Sequence, residues 1–415
     1  MFYIITLPFL QHFSFNGVYV GDFDITPHMI IQLILIIIFL ISYLTNSDVL
    51  QTKPFGIIDK LIILFILFAL LSLLFGYSMP ENHVKRWLLF YTGIFETSTF
   101  YFITLYLLNN NKDLVHEILV ALMLSVFFSG IIAVTEFNII GYNLIHIFLS
   151  RMRFGFGFHN TNLYGIYSAL LFPLIVYLIY NHKSKAVRII SILSFSLLSL
   201  LSIMCFNRGT FIVMGLQIIL LFFYTKNRKL IISLLVAFIG VAVYFSNLLL
   251  FYIFRFVGNN NPQGLDESAL YRLEAWRIAL KCLLLYPFGV GGGGFQILWE
   301  KYSFKPEIYL GTPHQLFLSI GIDYGILTLL VFIIILVVAF YYSYKIIESH
   351  SEASTLFKYV IISLIGLFVY GMLTDGELSH LSGFIAPNNG YSIILFAILS
   401  IISYFYSDIA YEKKK

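Results

Sequence analysis

Charged side chains are scarce in this chain: Asp, Glu, Lys and Arg make up 11% of its 415 residues, less than half the share (about 25%) of a soluble globular domain. Cysteine is nearly absent. Cys205 and Cys282 allow at most one bridge, which excludes a disulfide scaffold. No HExxH, CxxC or Ser–His–Asp spacing occurs, so neither a metal nor a cofactor is expected. The four consecutive glycines 291–294 lack the Lys-Ser/Thr ending of a nucleotide-binding loop. No internal repeat of about 20–50 residues is visible, which argues against a solenoid.

What is abundant is apolar surface. Hydrophobic residues reach 60%, with a mean hydropathy of +0.90. A single water-soluble core stops growing at roughly 250–300 residues, so lipid must solvate most of this chain. A soluble enzyme and a disordered protein are excluded, and the expected fold is an all-α polytopic membrane protein forming one integral domain over 1–415.

Apolar runs of about 17–25 residues are long enough to cross the hydrocarbon. Eleven occur, near 28–45, 57–76, 88–108, 115–136, 161–180, 188–205, 210–225, 230–249, 314–343, 357–374 and 391–407. Met1–Phe15 is a candidate twelfth; it lacks the charged flank and cleavage site of a signal peptide.

Short loops rich in Lys and Arg stay in the cytoplasm. Lys183, Lys185 and Arg188, the cluster 226–229, and Lys413–Lys415 therefore set the orientation, with a cytoplasmic carboxyl terminus. Alternation puts 250–313 outside as the one loop of domain size, 64 residues long. The cations then sort by type. Twelve of sixteen lysines fall inside, whereas seven of nine arginines fall outside. Lysine suffices as a topological anchor, while the arginine fork suits bidentate recognition of phosphate or carboxylate. Pairing with outer acids such as Asp266, Glu267 and Glu274 is the structural alternative to an outer anionic ligand.

Four outer clusters carry candidate chemistry. Ser150–Gly165 brings Arg151, Arg153 and His159 to a helix start that Asn160 or Thr161 can cap, a location that favours anions. Cys205-Phe-Asn-Arg-Gly-Thr210 is a tight turn that puts Arg208 against hydrocarbon, where it either snorkels or faces a polar cavity. Tyr271–Pro287 reads as an amphipathic helix in which Arg272 and Trp276, and Arg277 and Lys281, are four apart. The glycines after it read as a turn allowing close approach of helices or a headgroup. Gly311–Ile326 carries His314 at the outer start of the longest apolar run, with Asp323 nine residues deeper. Histidine is a general base available near neutrality, although an interface histidine is often structural. Asp22-Phe-Asp24 lies outside, where nucleotide sugars are absent, and reads as a loop.

The order of these motifs resembles the O-antigen ligase and O-antigen polymerase superfamily of bacterial surface-polysaccharide enzymes. It runs from Arg/Gly/His/Asn through Asn-Arg-Gly, Arg272-x-x-x-Trp276 and Pro287-x-Gly-x-Gly to Pro313-His314-Gln315. The resemblance implies a metal-independent, inverting glycosyltransferase of the bacterial inner membrane. Its donor would be an oligosaccharide on polyprenyl pyrophosphate and its partners membrane lipid, a chain-length regulator and a flippase; nucleic acid is not among them. It also implies roles by position. Arg208 and Arg272, aided by Arg153 and Arg277, would hold the pyrophosphate, His314 would be the catalytic base, and His159, Asn160 and Trp276 would position substrate. Gln315 replaces the family's usual asparagine. A transporter is the alternative class, for which charges or broken helices belong at the bilayer midplane; Glu96 is the main mid-span charge.

Overall fold

The computed structural model describes residues 1–12, 19–20, 23–24, 27–45, 56–77, 83–140, 155–156, 161–205, 207–224, 267–291, 294–307, 311–349, 351–373 and 390–412. The apolar run 230–249 and all of 250–266 lie outside them. The described chain is helical, apart from a two-residue antiparallel ladder pairing Tyr19–Val20 with Phe23–Asp24. In chain order the helices are α1 (Phe2–His12), α2 (Pro27–Thr45), α3 (Ile57–Phe75), α4 (His83–Phe90), α5 (Thr97–Asn110), α6 (Leu114–Ile140), α7 (Thr161–Asn181), α8 (Lys185–Met204) and α9 (Arg208–Tyr224). They continue with α10 (Glu267–Leu285), α11 (Phe295–Tyr302), α12 (Leu316–Glu348), α13 (Ser354–Leu373) and α14 (Gly390–Glu412).

Among the described residues, seven helices are long and apolar enough to cross a membrane: α3, α6, α7, α8, α12, α13 and α14. The chain is a multi-pass, all-α membrane protein. Helix α7 is its centre, with an unbroken buried stretch from Leu163 to Leu178. Hydrocarbon-facing helices can be apolar all round, because lipid replaces water as solvent. Thus α8 exposes Ile189, Ile192 and Leu193 while Ser191, Ser194 and Ser202 turn inward. Helix α1 has 11 residues, about 16 Å at 1.5 Å per residue and half a bilayer; it buries Tyr3, Ile4 and Leu7.

Two spans depart from the simple rods that hydropathy predicts. The run 88–108 belongs to a continuous helix from His83 to Asn110 that widens into a π-helix at Tyr91–Glu96. Here the Thr92 hydroxyl donates to the Leu88 carbonyl and the Thr97 hydroxyl to that of Gly93, side-chain bonding that loosens a helical ladder. Glu96 is fully buried there, beside the Tyr91 and Tyr3 hydroxyls. The second departure is α12, 33 residues long, which breaks at Gly325 with φ 86° and ψ 164°.

The bundle's two ends differ in chemistry. At one, Asp59 begins α3, accepting from the Gly56 amide at 2.6 Å and the Ser403 hydroxyl at 2.8 Å, and from the Tyr101 hydroxyl. Tyr342 stacks on Tyr406 nearby, with centroids 3.5 Å apart. The other end gathers tips of α3, α7, α9, α10, α12 and α13, and it holds Arg86, Arg208, Arg272 and Arg277.

Candidate functional site

The arginine-bearing end is organised around the last turn of α13, Tyr370–Leu373. Three segments far apart in sequence are fastened there.

The first is the start of α9. Asn207 caps it, its Oδ1 accepting from the amides of Gly209 at 2.8 Å and Thr210 at 3.4 Å, which satisfies orphan donors of the first turn. Its side-chain amide donates to Asn162 of α7. Arg208 is the first helical residue and only partly exposed. One turn in, Thr210 and the fully buried Tyr370 close over Gly165, where any side chain would overlap both hydroxyls. Glycine there lets α7, α9 and α13 converge.

The second is α10. Arg272 Nη1 donates to the Leu373 carbonyl at 3.3 Å, one of the acceptors that a helix C-terminus leaves open. Trp276, one turn further on, is partly buried and its Nε1 is buried without a hydrogen-bond partner. Arg277 is committed differently. Its Nε and Nη2 grip Glu274 at 2.7 and 2.6 Å, and Nη2 also donates to the Tyr302 carbonyl at 3.2 Å. The arginine–acid pairing weighed against an outer ligand thus describes Arg277, whose further bond to the Tyr302 carbonyl ties α11 to α10. Lys281 lies 4.2 Å from the centroid of the Tyr302 ring.

The third is the approach to α12. His314 adopts φ 53°, a left-handed conformation tolerated by few residues other than glycine and concentrated at functional sites. Its amide donates to Thr312 Oγ1 at 3.2 Å, so the turn, and with it the histidine's place, is held locally. Gln315 then caps α12, its Oε1 accepting from the Leu318 amide at 2.6 Å. Its Nε2 reaches Met372 Sδ at 3.2 Å, while Leu316 packs on Gly371. The glutamine thereby acts as both helix cap and tether to α13. Arg272 and the segments that carry Arg208 and His314 are accordingly fastened to one helix end.

The glycine-rich segment after Pro287 covers the α12 break. Val290 and Gly291 amides donate to the carbonyls of Ile322 (2.7 Å) and Asp323 (3.1 Å), and the Ile326 amide donates to that of Pro287 (2.9 Å). Gly289 and Gly291 adopt φ of 80° and 78°, and a side chain at Gly289 would meet the Ile322 and Asp323 carbonyls. These glycines serve close backbone approach. Arg86 closes the same corner, its Nη2 donating to the Ser72 and Leu73 carbonyls at 3.1 and 3.3 Å, with its stem crossing Gly291. Sequence reasoning grouped Arg86 with the other outer arginines and missed this cap, which joins residues distant in the chain. Asp323 is 9% exposed beside the break.

Arg151, Arg153, His159 and Asn160 lie outside the described residues. Among the described residues, no three His, Cys, Asp or Glu side chains come together to hold a metal. Cys205 and Cys282 are both buried free thiols.

No curated protein matches this chain. Residues 193–333 match the family model described as O-Antigen ligase, a stretch that contains Arg208, Arg272, Trp276, the glycine turn, His314 and the broken part of α12. The resemblance to the O-antigen ligase and polymerase superfamily is therefore shown, over the segment that carries the candidate site.

Proposed function

We propose that this protein is a polysaccharide polymerase that transfers a glycan from polyprenyl pyrophosphate to a second lipid-linked repeat unit, on the outer face of a bacterial cytoplasmic membrane. The observation that carries this reading is that Arg272 and the segments bearing Arg208 and His314 are fastened to the last turn of α13, the latter two through Thr210 and Gln315. In the reaction the acceptor hydroxyl oxygen attacks the anomeric carbon as the bond from that carbon to the pyrophosphate breaks. His314 takes the hydroxyl proton, which requires an approach of about 2.6–3.2 Å or one bridging water. Arg208 and Arg272 receive the charge that grows on the departing polyprenyl pyrophosphate, and preorganised cations do this without reorganisation at the moment of reaction. Attack opposite the leaving group inverts the anomeric centre.

Arg153 and the positioning roles of His159, Asn160 and Trp276 belong to this proposal as well. Arg277, with its fork on Glu274, contributes by holding α10 to α11 through the Tyr302 carbonyl. Ligation to a lipid-A core is the alternative acceptor, served by the same site. A transporter is less well supported. Its broken helix would leave backbone ends for cargo, whereas the break at Gly325 is filled by the amides of Val290 and Gly291.

The test is to incubate the purified protein in nanodiscs with a synthetic lipid-linked repeat unit, alone and with core acceptor. A ladder of polymers from donor alone supports polymerisation. A single transfer seen only with core makes the protein a ligase, and no transfer in either arm overturns the reading.

A further inference from the structure

Helix α10 is apolar on opposite faces. Ala275, Ile278, Ala279 and Cys282 are fully buried against the bundle. Opposite them Leu273, Leu280 and Leu284, at positions i, i+7 and i+11 and so on one line of the helix, are 51%, 57% and 79% exposed. A helix with water on its outer side would be polar there; one apolar all round has a non-aqueous environment. The flank toward α11, in contrast, is charged, carrying Arg277 on Glu274 and Lys281 over Tyr302.

The anchoring of α10 fixes how it lies. Near its start Arg272 holds the tip of α13. Just past its end the Phe288 carbonyl accepts from Ser72 and the Gly289 carbonyl accepts from the Tyr77 amide at 3.0 Å, at the tip of α3. Arg272 to Leu285 covers about 20 Å at 1.5 Å per residue. A helix tethered at both ends to the same-side tips of two spanning helices runs along the membrane face.

We propose that α10 is an interfacial helix immersed in the leaflet at the arginine-bearing end, with Leu273, Leu280 and Leu284 facing the acyl chains and Arg277 and Lys281 at headgroup level. Continuity names the leaflet as the occupant. Phe288 meets Phe75 with ring centroids 6.2 Å apart, and Leu74 and Phe75, 60% and 67% exposed, belong to the lipid-facing side of spanning helix α3. The exposed leucines prolong that surface, and Lys or Arg beside such a stripe is the pattern of helices lying in the interface. This part of the large outer loop is then solvated by lipid, and Arg272 sits at the depth of a membrane-bound headgroup. The inference concerns placement alone and stands or falls independently of the transferase reading.

The experiment introduces Leu273→Cys, Leu280→Cys or Leu284→Cys, with Glu300→Cys on α11 as the aqueous control, and attaches an environment-sensitive fluorophore. The native thiols are buried, so unsubstituted protein reports background labelling. Each protein is reconstituted in phosphatidylcholine–phosphatidylglycerol vesicles and quenched with iodide or with acyl-brominated lipid. The three leucine positions are expected to show blue-shifted emission, several-fold stronger quenching by brominated lipid than Glu300→Cys, and weak quenching by iodide. Iodide quenching equal to the control overturns the proposal. So does protection from both quenchers, which would mean that protein covers the stripe. Three separate surface positions keep the test decisive if one variant folds poorly.

Discussion

Arg272 and Leu373, 101 residues apart in sequence, are joined by a hydrogen bond of 3.3 Å from guanidinium Nη1 to the main-chain carbonyl. That contact takes one edge of the fork to close a helix end, and it is the hydrogen bond Arg272 makes among the described residues. The segment that carries His314 is tied to the same helix end through Gln315 and Met372. A structural tether and an anion-binding edge can therefore reside in one side chain.

Replacing the fork with a point charge separates these roles. Arg272→Lys is expected to lower turnover with lipid-linked donor by about 10²-fold, the scale of losing one preorganised donor, while thermal stability in detergent changes little. Arg208→Lys should behave alike. Wild-type rates in both variants would assign the two arginines to structure.

Arg277 provides the contrast. Its guanidinium is engaged by Glu274 and half exposed, and exposed pairs of this kind contribute about 0–1 kcal/mol. Arg277→Ala should leave turnover within a few-fold of wild type. A loss as large as that in Arg272→Lys would show that Arg277 exchanges Glu274 for substrate.

For His314→Ala, single-turnover measurements should show transfer slowed by about 10²–10⁴, the usual worth of general-base assistance, with donor affinity nearly unchanged. Near-normal transfer, together with a His159→Ala enzyme that binds donor without reacting, would move the base to His159.

The break in α12 offers a prediction about stability. Gly325 has φ 86°, and a side chain there would lie 2.7 Å from the Pro287 carbonyl. Gly325→Ala should cost on the order of 1–3 kcal/mol from backbone strain alone, read as a lowered Tm in detergent. An unchanged Tm would mean that the break relaxes into continuous helix.

Sidedness can be read by impermeant thiol reagents on intact cells. Glu300→Cys, at the arginine-bearing end, should label, and Lys183→Cys, in the basic turn before α8, should be protected. The reverse pattern would invert the orientation and move the site to the cytoplasm.

Much of this protein follows from composition and periodicity. Lipid as the solvent, the approximate limits of the described spans and the order of the motifs are all one-dimensional properties of the chain. Each depends on the transfer free energy of local segments, which needs no knowledge of neighbours. The roles of individual polar residues did not emerge that way. Arg277 and Arg272 look equivalent along α10, yet one is held by Glu274 a turn away and the other reaches Leu373 across the fold. Likewise, hydropathy reads 314–343 as one rod, because the glycine at 325 costs the run little apolar character. Only the approach of the 287–291 backbone, whose amides take over the carbonyls of Ile322 and Asp323, makes a break there affordable inside a membrane. Buried backbone groups must find partners, and which partners are within reach is decided by how distant segments pack.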